Sequence, residues 1–419
     1  MQARFDISPD EAIALLVAAG RMAGAAQDRS ERVPVGSARG RVLLEDLRSR
    51  ADRPTHDDSA LDGFACRSSD TTSATVADPV TLPLVGASVA GAPFGGSVSP
   101  GRAVAIATGA LVPDGADAVI GVEHATVVGG AVSVTRPADT KAVRPRAQDL
   151  RAGETYLRTG TRLSSAAVGL AAAMGHATVT VARRPRVAVL TTGDEVVTPE
   201  VALSAGQVYD ANGAALAALA EATGCEVTLL EHVRDDGGSL ARALDRVASM
   251  TPDLVVTSGG VSRGERDVVR DAMLSTGELE FWRITIRPGG PTMFGRYAGV
   301  PLLGLAGNPV SSLVGWLLFG QAFTDTWSGF DGPVPYHDRI AVRPAGQFRA
   351  ERKTVLYRAR LEERDGALVA VPYENQSSGV LRALVESDAL VVVPGVGAGQ
   401  PRPAPEPATL SAIDLRRRL

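Results

Sequence analysis

The sequence predicts a multidomain chain, α/β plus β, organised around a central doubly wound α/β domain. Three observations carry this. Between Arg186 and Thr324 apolar runs alternate with helix-like segments, and several runs end in hydroxyl residues, glycine and acids. That alternation is the pattern of a largely parallel sheet with crossover helices. From Val76 to Val134, and again after Gly332, the texture changes to short strands broken by glycine and proline, as in small β domains. At 419 residues the chain is also too long for one ordinary core, so roughly two to four domains are expected.

Composition narrows the function classes. Hydrophobic residues make up 45% and charged residues 21%, the balance of a soluble globular protein. A net charge of -4 gives no general attraction to nucleic acid or anionic membranes, so an anionic ligand needs a local site. Cys66 and Cys225 are isolated, and the five histidines form no HxxxH or HxH pair. Disulfide scaffolds and thiolate or histidine metal centres are therefore disfavoured. The N-terminal MQARFDISPDEA lacks the basic and apolar regions of a signal peptide. The longest apolar helix candidate, Val310 to Phe323, falls short of the roughly 20 residues that span a bilayer. A cytoplasmic protein is expected. Lys141 and Lys353 are the only lysines among 43 basic residues, a bias toward arginine.

Ser8-Pro-Asp-Glu opens a helix, with a serine cap, proline in the first turn and acids beside the positive end of the dipole. Val33 to Asp46 reads as a short strand and turn. Asp52 to Ala65 is too acidic for a core element, and Asp57, Asp58 and Asp62 need solvent, a cation or arginine to relieve their repulsion. Short strands follow to Val134, with Thr108-Gly-Ala and Pro113-Asp-Gly-Ala-Asp as polar loops. Arg144 to Gly153 is an irregular link, and Ser164 to Met174 is a helix of small residues.

RVAVLTTGDE begins the α/β region, followed by helices at Gly213 to Thr223 and Ser239 to Ser249 and by a strand at Glu226 to Val233. Next comes Val255 to Asp267, VVTSGGVSRGERD. A buried strand ending in Thr257, Ser258, Gly259 and Gly260 leaves backbone N–H groups where a phosphate can approach. Glu265 and Asp267 follow at a helix start, and two acids beside an anion site make sense with a divalent cation between them. Taken alone, the stretch reads equally as a glycine turn with an acidic helix start. VPLLGLAG is the last buried strand, running into a helix from Pro309 to Thr324. Ligand is expected beyond the carboxyl ends of these strands.

Seven segments together resemble the molybdopterin molybdenumtransferases, the MoeA-type enzymes equivalent to the E domain of gephyrin. They are SALDGFA (59–65), ATGALVPDGADAVIGVE (107–123), TTGDEV (191–196), GQVYDAN (206–212), SGGVSRGERDVV (258–269), RPGGPTMFG (287–295) and GLAGNPVSSL (304–313). The resemblance implies four domains: a helical linker and dimerisation part (1–45 and 142–183), an inserted β-domain (46–141), the α/β molybdopterin-binding domain (184–330) and a C-terminal β-barrel (331–419). It implies a homodimer whose active site lies between subunits. It also implies the final step of molybdenum cofactor assembly, in which molybdate enters adenylylated molybdopterin with Mg²⁺ and AMP is released. Molybdopterin adenylyltransferase, which makes that intermediate, is an expected partner.

By family position the catalytic set is Asp62, Thr108, Glu195, Asp236 and Asp267, with Glu195, Asp236 and Asp267 as Mg²⁺ ligands and Glu265 nearby. The substrate-binding set is Ser258, Gly259, Gly260, Arg287, Pro288, Gly307, Asn308, Pro309 and Ser311. Arg287 and the Pro288-Gly289 turn suit a tetrahedral oxyanion. Plain structural roles stand beside these: Asp194 as a turn cap, Asp235 and Asp236 as a solvated pair, His56 and Cys66 as packing residues. Asp149 is a weaker candidate. The family's Lys-Pro-Gly-Lys-Pro segment reads Arg287-Pro-Gly-Gly-Pro here, and Ala306 replaces the proline before Gly307. Arginine keeps one cation and Gly290 deletes another, for which Arg263 and Arg266 are candidate compensation. These departures favour a non-catalytic pterin-binding or scaffold paralogue, whereas the retained acids favour the enzyme. Molybdopterin adenylyltransferase is a further alternative, opposed by SALDGFA and the C-terminal β region.

Overall fold

A mixed seven-stranded sheet forms the centre of the molecule. The computed structural model describes residues 3–261, 267–396 and 409–416. In spatial order the strands are Arg4–Ile7, Glu278–Ile284, Met293–Tyr297, Val300–Leu305, Leu254–Ser258, Arg186–Thr192 and Glu226–Val233. Neighbours from Val300–Leu305 to Glu226–Val233 are parallel. Arg186–Thr192 and Leu254–Ser258 are buried along nearly their whole length, as parallel strands covered on both faces must be. From Arg186–Thr192 the chain steps to Glu226–Val233 on one side, then crosses to Leu254–Ser258 on the other. The winding reverses between those first and third strands, and their carboxyl ends open a crevice of the kind that binds ligands.

Residues 4–25, which the sequence reading assigns to the linker part, pack into this domain. Arg4–Ile7 is an edge strand parallel to Glu278–Ile284. In the helix Pro9–Ala25, Ile13 and Leu16 share a core with Phe294 and Phe323. Gly20 and Gly24 permit the approach, since a Cβ on either would collide with the carbonyls of Phe323 and Trp327. The last α/β helix is longer than expected. It runs from Pro309 through a π turn at Trp316–Gly320 to Trp327.

The linker core comprises Leu43, Leu47, Leu150, Leu163 and Met174, and the expected helix of small residues runs Ser165–Ala173 with Ser164 as its cap. A six-stranded sheet, including Gly63–Cys66 and Ala103–Ile106, forms the inserted β-domain.

In the C-terminal region five strands close a barrel: Ile340–Pro344, Thr354–Arg364, Ala367–Pro372, Ala389–Val393 and Leu410–Asp414. Closure occurs because Thr354–Arg364 pairs with both Ala367–Pro372 and Ala389–Val393. Its side chains alternate between two cores. Val355, Val391, Val393 and Ala412 fill the barrel, while Leu356, Leu390, Val392 and Ile413 join the central α/β core. The short strand Ile286–Arg287 leaves the α/β domain and pairs in parallel with Thr354 and Val355, so the two domains meet at Arg287.

Candidate functional site: a glycine cradle and a cationic groove

Three strand-end loops converge at the reversal point. Gly259 has φ +102°, and a Cβ there would lie 2.7 Å from Thr192 Oγ1; a Cβ on Gly307 would lie 3.5 Å from the Gly259 Cα. At Gly259 both the backbone conformation and this approach call for glycine, whereas the contact at Gly307 is of ordinary van der Waals length. Ser258, expected to bind substrate, is buried and ties the loops together. Its Oγ accepts from Asn212 Nδ2 at 2.9 Å and from Ser312 Oγ at 3.0 Å, and Asn212 Nδ2 also donates to the Gly307 carbonyl at 2.7 Å. The Gly259 N–H is spent on the Leu305 carbonyl at 3.0 Å. The donors left for an anion are the N–H groups of Gly260, Gly307 and Asn308, which find no acceptor among the described residues. Asn308 caps the last helix without using its side chain, and Pro309 begins that helix.

Acids flank this cradle. Asp236 is committed to its own helix: its Oδ1 accepts from Ser239 N at 2.7 Å, which with the Ser239 side chain holds its carboxyl below the usual range. Asp235 differs. Its Oδ1 is buried without a hydrogen-bond partner, and its carboxyl is pushed above the usual range, mainly by burial, with Glu195 and Asp194 adding repulsion and Thr192 offsetting part. Asp194 Oδ1 accepts from Asp235 N at 3.3 Å, so it does tether the turn. Glu195 lies exposed on the same loop. On the other flank Asp267 is buried and sits 3.8 Å from Arg270, with its Oδ2 outside any hydrogen bond. Arg270 N bonds the Gly260 carbonyl at 3.0 Å, which brings Asp267 to the cradle. Glu265, Arg263 and Arg266 lie outside the described residues.

A groove of about 590 Å³ opens beside the cradle, shared by both domains. Arg287, Pro288, Asn308 and Ser311 line it from the α/β side, and Lys353 and Ser378 from the barrel side. Arg287 pairs with Glu351 at 2.6 Å. Behind the groove Arg358 is only 2% exposed, and among the described residues its guanidinium bonds just the carbonyls of Leu356 (3.4 Å) and Ser377 (3.2 Å), with Nε lacking a partner. Burial first, and the Arg287 charge second, push this guanidinium down to about 10. A buried cation with no carboxylate counter-charge among the described residues leaves room for a bound anion.

The chain matches known families in three stretches. Residues 7–175 match the MoeA N-terminal region (domains I and II), 188–325 a probable molybdopterin binding domain, and 342–400 the MoeA C-terminal region (domain IV). Molybdopterin molybdenumtransferase 2 of Mycobacterium tuberculosis is 36% identical over 369 residues, covering 86% of this chain and 90% of that protein. The chain belongs to the molybdopterin molybdenumtransferase family. Members are transferases of molybdenum cofactor biosynthesis. The relative from Haemophilus influenzae is 37% identical over 288 residues, 68% of this chain and 70% of its own length. Two structures of the MoeA protein from Pyrococcus horikoshii superpose with TM-scores of 0.71 and 0.78 at 30% and 25% identity, covering 98% and 97% of this chain and 96% and 99% of theirs.

Elsewhere in this molybdenumtransferase-family chain, the acidic loop resolves residue by residue. Asp58 is buried and held bidentately by Arg144 at 2.7 and 2.9 Å. Asp57 accepts from Arg146 N at 2.7 Å, and Asp52 is bound by the Arg146 side chain and by Ala152 N. Asp62 stays exposed and grips Thr108: its Oδ1 accepts from Thr108 N at 2.7 Å and Thr108 Oγ1 at 2.9 Å, which lowers its carboxyl. Asp62 and Thr108 are thus bonded to each other, and no bond joins them to the glycine cradle among the described residues. Asp149 pairs with Arg53 at 3.4 Å in the linker. Cys66 is a packing residue, its thiol pushed up to about 12 by burial first and by Asp70 and Asp117 after it.

Sequence reasoning missed Asn212, Lys353, Arg358 and Ser378. Asn212 lay in the quoted GQVYDAN segment, and an Asn just after the Asp210 cap was the available signal. Arg358 falls two residues after Leu356, on the strand face that meets the α/β domain. Without knowledge of that contact the face reads as solvent-facing.

Proposed function

We propose that the chain transfers molybdate onto adenylylated molybdopterin, with Mg²⁺-dependent release of AMP, and that it acts as a homodimer. The observation that carries this is one continuous site: a glycine cradle with free N–H groups, carboxylates on its rim that each keep one oxygen outside any hydrogen bond, and a cationic groove alongside. The cradle suits the phosphates of the substrate. The groove suits molybdate, a tetrahedral dianion, with Arg287 and the turn at Pro288 as donors.

Mg²⁺ fits the donor set on the rim. All the ligands on offer are oxygen, and Asp235 Oδ1 and Asp267 Oδ2 are both buried without hydrogen bonds. We assign Asp235 to this role ahead of Asp236, whose carboxylate is occupied as a helix cap; Asp267 and Glu195 keep theirs. Among the described residues no three such side chains already converge on a metal position, which suits an ion that keeps waters and takes other ligands from substrate phosphates. When bound it would neutralise charge on the phosphate that leaves as AMP. The protein's part is positioning: the N–H groups orient the phosphates and the groove orients molybdate.

Asp62 and Thr108 form an exposed pair with no tie to their own chain's cradle among the described residues, and we assign them to completing the site of a second subunit. Loss of a side chain at Gly290 favours a pterin-binding scaffold as the second reading. Molybdate-dependent AMP release from adenylylated molybdopterin by purified protein and Mg²⁺ separates the two. Release that disappears in Asp62→Asn and Asp267→Ala is expected. Tight pterin binding without release would establish the scaffold, and absence of both would sink both readings.

A further inference from the structure

We propose that the joint between the linker and the α/β domain binds a single halide-sized anion. The site is a cavity of about 20 Å³ that shares no lining residue with the groove. Arg41, Arg162 and Arg183 line it from the linker, and Arg184, Thr324 and Asp325 from the α/β domain. One water needs roughly 10–15 Å³, so the space takes one water or one monatomic ion and excludes a phosphate or a nucleotide.

Donors are in excess at this joint. Arg162 Nη2 donates to the buried Asp325 at 2.6 Å, while its Nε is buried with no acceptor among the described residues. Arg183 stacks 4.6 Å from the Trp327 ring centre and bonds Asp253 at 2.6 and 2.9 Å, and Arg186 lies 3.9 Å from the same aspartate. Arg186 Nε and Trp327 Nε1 are likewise buried without acceptors among the described residues. The lining carbonyls of Val42, Ala182, Arg184, Pro185 and Thr324 already accept hydrogen bonds. A water would bring two donors of its own to a site whose acceptors are taken, whereas a halide only accepts. Charge points the same way. Glu31, Asp325 and Asp253 offset Arg41, Arg162 and Arg183 in turn. Arg184 is exposed and forms no ion pair among the described residues. One surplus positive charge on the lining matches a monovalent anion, which ties Arg162 of the linker to the α/β domain.

The test is thermal unfolding of the full chain in sodium chloride and in sodium gluconate at equal ionic strength, beside crystals soaked in sodium bromide. Chloride is expected to raise the melting temperature by about 2 °C, the scale for a well-occupied single site in a chain of this length. Bromide is expected to give an anomalous peak in the cavity. Arg162→Lys keeps a cation beside Asp325 but has no Nε–H, and it should lose at least half of the chloride effect. That variant leaves the groove cations untouched, so a chloride effect that survives it belongs to anions elsewhere and overturns the assignment. Should the variant fail to fold, the bromide position in the unaltered chain decides alone. A cavity that holds only water in bromide-soaked crystals would overturn the proposal. Bromide there without a chloride effect in solution would be an adventitious ion only, and would overturn it equally.

Discussion

Substituting Gly259 by alanine should damage the cradle in a way that can be sized. At φ +102° an L-residue is strained, and its methyl would lie 2.7 Å from Thr192 Oγ1 and 2.9 Å from the Thr192 carbonyl oxygen. Strained backbone costs on the order of 1–3 kcal/mol, and overpacking about 1–3 kcal/mol more. Partial relaxation of the Thr192 loop leaves an expected loss of about 3 kcal/mol in α/β-domain stability. The tryptophans report on that domain alone, since Trp282, Trp316 and Trp327 all lie in its sheet and last helix. Urea unfolding followed by tryptophan emission is the assay. Gly307→Ala is the control. Its Cβ would meet only the Gly259 backbone at an ordinary 3.5 Å, so stability should change by less than about 1 kcal/mol, while the methyl enters the space a phosphate would use and pterin binding falls. A Gly259→Ala protein as stable as the unaltered chain would refute the claim that glycine is required by this packing. Equal pterin affinity in Gly307→Ala would remove the phosphate from the cradle.

Three other expectations follow from the same geometry. Asp235→Asn should abolish Mg²⁺-dependent AMP release without lowering the melting temperature, because it neutralises a half-buried acid; Asp236→Ala should lower the melting temperature and keep Mg²⁺ dependence, and the opposite result would reassign the two. Arg144→Ala strands the buried Asp58 carboxylate and should cost about 2 kcal/mol, less than a fully buried pair because the Arg144 side chain is 41% exposed; pterin binding should not move, and thermal unfolding beside a binding titration checks both. For Asp62, the folded pKa lies below the unfolded one, so its stabilising contribution is present above the unfolded value and is lost as pH falls through the folded value. Asp62 is therefore ionised at neutral pH. Thr108→Val removes one of its donors and should move its NMR-monitored titration upward; an unmoved titration would dissociate the pair.

Local chemistry was legible in the sequence and long-range placement was not. Ser8, Ser164 and Pro309 mark helix starts through capping and fixed φ, and the structure begins helices there. Ser258 to Gly260 announced a strand-end loop, but which groups remain free was hidden. Gly259 N–H goes to Leu305 and Ser258 Oγ to Asn212 and Ser312, contacts set by neighbours 46 to 54 positions away. Adjacent aspartates 235 and 236 are alike in sequence; only the helix start at Gly237 decides which one caps and which one faces inward. Arg4–Ile7 gave no strand signal of its own, because an edge strand of four residues takes its register from Glu278–Ile284.

The alternation in Ala389–Val393 has a consequence for how the groove behaves. Every residue of that strand is buried, alternate side chains belonging to the barrel and to the α/β core. The barrel is therefore welded along one wall instead of hanging from a linker. Arg287 and Lys353, contributed by different domains, keep a separation dictated by packed hydrocarbon. An anion entering between them meets charges already spaced, so little of its binding energy is diverted to drawing two bodies together. The same weld makes the barrel unsuited to life as a detachable module, since removing it would pull Leu356, Leu390, Val392 and Ile413 out of the α/β core.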